Sequence, residues 1–157
     1  MEGFLVAVTG RSRRDSIEKA QDVIYDAWER ATARSRIALA RKALAITPLC
    51  PDAYGILAEE ARSIEEARDL YARGVEAGGL ALGRKGFEEY AGHFWGFLET
   101  RPYMRARAGL AGALLKPGDD EAAISHYRDM LKLSLATIKG SAISSPLASS
   151  GAVMKQG

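Results

Sequence analysis

Cysteine, histidine and proline are scarce in this chain, which carries one, two and five of them in 157 residues. A lone Cys50 excludes an internal disulfide and fits a reducing cytoplasm. It sits in a turn between Pro48 and Pro51, far in sequence from His93 and His126, so it reads as structural and not as a catalytic thiol. Neither histidine has a second His, Cys or paired carboxylate at ligand spacing, so no metal site and no cofactor are expected. No long apolar run is present. The opening MEGFLVAVTG is too short for a membrane span, and its leading glutamate and missing basic region make it a poor signal peptide. Net charge is only +2, so no overall field draws nucleic acid or anionic lipid. Arg11, Arg13 and Arg14 form the one basic cluster and read as a flexible arm over 1–14. GRKG at 83–86 lacks the rest of a phosphate-loop string and a preceding strand. Glu59-Glu60 and Glu65-Glu66 are adjacent acids, about 100° apart on a helix, so they do not converge as an acid/base pair. These absences leave an enzyme in second rank.

What the chain does have is helical periodicity. It is 47% apolar and 27% charged, enough for one globular domain with a real core. Asp15 and Glu18 mark a helix start, followed by Ile17, Ala20, Ile24, Ala27 and Trp28 on one face. A second helix is predicted over about Arg34 to Ile46 and is stopped by Pro48. Asp52 opens a third, and Ser63 with Glu66 a fourth, ended by Gly78-Gly79 as a C-cap pair. A fifth is predicted over roughly 85–99 from the stripe Phe87, Tyr90, Ala91, Phe94, Trp95, Leu98. Pro102 opens the sixth, Gly118 ends its turn, and Asp119 caps the seventh. Nothing alternates with period two, so the expected class is all-α, with about seven helices in stacked hairpins.

The stretch RPYMRARAGLAGALLKPGDDEAAISHYRDMLKL at 101–133 has small and apolar residues on either side of a Pro-Gly-Asp turn. It resembles a tetratricopeptide repeat, a helix–turn–helix unit of about 34 residues. Shorter echoes recur at Ala40, Ala43, Pro48 and at Ala67, Tyr71, Gly74. The segments AQDVIYDAWERA, PDAYGILAEEA, GHFWGFLETRPYMRARAGLA and DEAAISHYRDMLKL together are similar to a bacterial tetratricopeptide family related to the suppressor-of-tumorigenicity-7-like proteins. The resemblance implies an α–α superhelix that serves as a binding scaffold, without catalytic residues or cofactor. It divides the chain into a helical domain over 15–134, with repeats at about 16–48, 51–78 and 101–134 and an inserted aromatic helix at 79–100. The tail at 135–157 departs from the family pattern and reads as disordered. Codons for Leu135 to Ser144 exist whose one-base shift yields a family-like continuation, so a frameshifted tail is an open reading, decided by the coding DNA. A missing terminal helix would expose apolar surface on the last repeat and favour self-association.

The expected function is protein–protein interaction in the cytoplasm. A concave groove lined by Asp52, Glu59, Arg62, Arg101, Arg105 and Lys116 would hold a peptide or partner protein, with Arg105 taking an acidic or carboxyl-terminal group. The bland alternative is that Arg101, Arg105 and Arg107 pair with Glu99 or Asp119 and stay solvated. Three other readings stay open: an enzyme or non-catalytic enzyme subunit, a helical nucleic-acid binder, and a damaged gene product. Interspersed acids speak against a nucleic-acid face.

Overall fold

The computed structural model describes residues 2–116 and 118–135. Over those residues the chain is all-α, with six α-helices, one 3-10 turn and no strand. The helices are α1 (Glu2–Trp28), α2 (Ala33–Ile46), α3 (Pro51–Glu59), α4 (Ile64–Glu89), α5 (Arg101–Leu115) and α6 (Asp120–Leu133); the 3-10 turn is Phe94–Gly96. The tail beyond Leu135 lies outside the described residues.

Local chemistry sets most of the helix ends. Thr32 caps α2, its Oγ1 accepting from the Ser35 N–H at 3.2 Å. Thr47 then turns extended ahead of Pro48. Pro51 opens α3 at a position where an N–H would go unused. At the start of α4, Ser63 Oγ accepts from the Glu66 N–H and Glu66 Oε2 accepts from the Arg62 N–H, both at 3.1 Å. Gly118, at φ 86°, closes α5: its N–H donates to the Leu115 carbonyl and that of Asp119 to the Leu114 carbonyl, each at 3.0 Å.

Three elements differ from the sequence expectation. The arm at 1–14 is helical from Glu2, and Arg13 donates to the backbone carbonyl of Leu80 on α4. Gly78-Gly79 does not end α4. A Cβ on Gly78 would lie 3.1 Å from Pro51 Cγ and from Tyr103 Cα and Cβ, so the residue is small to admit α3 and α5. The helix breaks instead at Gly83 (φ 64°, ψ 179°), a conformation open to glycine, and resumes to Glu89. The fifth helix predicted over 85–99 is realised only to Glu89, as the end of α4, and Tyr90 to Glu99 form no α-helix. Gly92 turns the chain at φ 84°, and the Thr100 hydroxyl donates to the carbonyls of Phe94 and Phe97. The chain folds back so that Phe94 is fully buried, while Trp95 and Leu98 of the expected stripe stay 41% and 65% exposed.

Consecutive helices pair as α1 with α2, α3 with α4 and α5 with α6; α3 also touches α1, α2 and α5, and α4 packs on α5. One core joins α1, α2 and α3 through Ala20, Ile24, Ala27, Ala40, Ala43, Cys50, Ala53 and Ile56. A second gathers Phe94, Tyr103, Met104 and Met130, and a third Leu110, Leu114 and Ala123. The Phe94 ring lies 5.3 Å from Phe87 and 5.9 Å from Tyr103.

Candidate interaction surface

Asp52 stands in the first turn of α3, where free N–H groups favour a carboxylate. Its side chain is only 4% exposed. A carboxylate so buried needs compensation. Arg105 on α5 supplies it, donating Nε to Oδ1 at 2.8 Å and Nη2 to Oδ2 at 2.7 Å. Gln21 on α1 adds its Nε2 to Oδ2 at 3.0 Å. One carboxylate thus ties α1, α3 and α5 together. The hydrogen bonds that Arg105 donates to Asp52 raise its pKa further, against the opposing effect of burial.

Aromatic surface lies on top of this pair. Arg105 Cζ is 5.1 Å from the Trp28 ring centroid, and the Tyr25 ring is 5.7 Å from Trp28. Tyr25 and Trp28 remain 47% and 42% exposed. Gly55, one turn along α3 from Asp52, and Gly112 on α5 have nothing within 4 Å of a would-be Cβ. The Tyr71 ring covers Gly109, one turn from Arg105. Glu59 is exposed beyond Gly55; partial burial and then Glu60 raise its pKa, which Arg36 tempers.

Of the six residues proposed from sequence, the structure brings Asp52 and Arg105 together as a bonded pair. Arg101 instead donates Nε to the Trp95 carbonyl at 3.3 Å. Arg62 is exposed between α3 and α4, and Lys116 is exposed at the end of α5. Arg105 and Arg107 do not take Glu99 or Asp119 as partner: Arg105 pairs with Asp52, and Arg107 pairs with Asp129 at 2.9 Å. Trp28, expected on one helical face with Ala20, Ile24 and Ala27, stays at the surface over Arg105 while those three are buried. The signal was present in Tyr25 and Trp28, three residues apart and therefore neighbours on one face.

A second polar cluster joins α5 to α6. Arg107 donates Nε and Nη2 to His126 Nδ1 at 3.2 and 2.8 Å, and Nη1 to the Tyr103 hydroxyl at 3.0 Å. Cys50 is 2% exposed, and burial pushes its thiol up to about 11, which leaves little thiolate at neutral pH. Among the described residues no group of three or more His, Cys, Asp or Glu is placed to hold a metal ion. No described helix is long and apolar enough to cross a membrane. Neither a family model, nor a curated protein, nor a solved structure matches this chain.

Proposed function

We propose that the face built by α1, α3 and α5 is a docking surface for a partner polypeptide, in a non-catalytic scaffold of tetratricopeptide type working in the cytoplasm. The observation that carries this reading is the Tyr25–Trp28–Arg105 stack, half open to solvent and anchored from below by buried Asp52. The stack is already assembled in the unbound chain, which limits the ordering entropy lost on binding. Aromatic and arginine side chains are also those that dominate binding energy at protein interfaces. Bare Gly55 and Gly112 leave the backbone of α3 and α5 open to close approach by an extended chain. The hairpin order, with α3 touching both α1 and α5, supports the repeat-type architecture. A cysteine with no second to pair with supports the reducing compartment.

Arg105→Glu is a poor probe, because it sets a second carboxylate against buried Asp52. Trp28→Ala is cleaner. Peptides enriched from a displayed random library on the full chain should bind Trp28→Ala and Tyr25→Ala roughly tenfold or more weakly, with melting curves little changed. Enrichment of nothing, or equal binding by Trp28→Ala, defeats the assignment.

A further inference from the structure

We propose that the outer face of α6 pairs with the same face of a second copy of this chain, the two helices running antiparallel. This surface is separate from the α1–α3–α5 face, and the proposal does not depend on that reading. The inner side of α6 buries Ala123 and Met130 and lays Leu133 against the second core. The outer side should then be polar. Instead Ile124, Tyr127, Leu131 and Leu135 are 44%, 39%, 55% and 43% exposed. Ile124, Tyr127 and Leu131, spaced three and four residues apart, make one stripe along α6, about 10 Å long at 1.5 Å per residue, and Leu135 follows just past the helix end at Leu133. An α6 apolar on two sides has α5 for one partner and lacks the other among the described residues.

Charge names the occupant. The first turn of α6 is acidic, with Asp120 and Glu121, and the end of the same exposed face is basic, with Arg128 and Lys132. An antiparallel copy centred near Tyr127 sets Ile124 against Leu131 of the second copy and Glu121 beside its Lys132, and symmetry makes each contact twice. A parallel copy would set Glu121 beside Glu121 and Lys132 beside Lys132. The chain's own residues after Leu135 are a poor match, because no acidic residue follows Asp129 to meet Arg128 and Lys132. One helical stripe is smaller than the roughly 800 Å² per partner of a standard stable interface, so association depends on concentration.

The test is sedimentation equilibrium of the full chain from about 10 μM to about 1 mM, a range that brackets weak dimers. A monomer–dimer equilibrium is expected, and Leu131→Glu should weaken it roughly tenfold or more. Glu121→Lys opposes two lysines at each contact and Lys132→Glu two glutamates, so each variant alone should be largely monomeric. Mixed in equal amounts they restore both ion pairs, and the mixture should dimerise. Circular dichroism of each variant checks folding. A full chain that stays monomeric throughout, or a mixture no better than its components, overturns the proposal. So does a chain ending at Leu135 that dimerises when the full chain does not, since the segment beyond would then cover the stripe.

Discussion

Between α1, α2 and α3, five of the eight fully buried core residues are alanine, each with no exposed surface. Around Phe94 the buried set is Phe94, Tyr103, Met104 and Met130, with Phe87 and Tyr90 packed against it. The first region brings helices close through a seam of methyl groups, so its stability is limited by space. The second wraps a folded-back loop around large rings, so its stability is limited by how well volume is filled. Both are buried cores, yet they should fail in opposite directions.

Removal should break the second region. Phe94→Ala empties the centre of the ring cluster and leaves the loop between α4 and α5 with little to hold it, so it should cost about 3–5 kcal/mol in urea unfolding. Addition should break the first. Ala43→Leu inserts three carbons into a fully buried seam position of α2 and should cost about 1–3 kcal/mol. A neutral Ala43→Leu would mean that the α1–α2 seam yields, and the contrast would collapse to one of composition alone.

The two regions also differed in how far they could be read from sequence. The predicted α2 lies within one residue of both observed ends and α3 within one residue of its observed start, because Pro48, Pro51 and the 3.6-residue spacing of small residues act within a turn or two. Gly78 misled because a glycine placed for space looks the same as one placed for a left-handed cap, and only the packing of Pro51 and Tyr103 tells them apart. The stretch from Tyr90 to Thr100 carried a convincing helical stripe, but Gly92 and the Thr100 hydroxyl bonds favoured a turn that buries Phe94 completely. At the candidate surface, residue types were legible and partners were not. Asp52 and Arg105 are 53 positions apart, and no local pattern announces a pair at that distance.

The smallest expected effect separates Arg105 from Arg107 on α5, which point to opposite regions. Arg105 meets a carboxylate in the first half, where no histidine occurs. Arg107 meets His126. A guanidinium only donates hydrogen bonds, so His126 Nδ1 must accept and the folded ring is neutral, with its proton on Nε2. Burial first, and the Arg107 charge second, lower the His126 pKa below its usual 6.5, while Asp129 works the other way. As pH falls, the unfolded chain therefore takes up this proton before the folded one does. The contribution is complete above pH 6.5 and is lost as pH drops through the lowered folded value. The melting temperature should fall from about pH 7.5 to about pH 5.5, and His126→Gln should flatten that slope. An unchanged slope in His126→Gln would show that the α5–α6 contact survives with two cations facing each other, and that Asp129 alone is enough to neutralise Arg107.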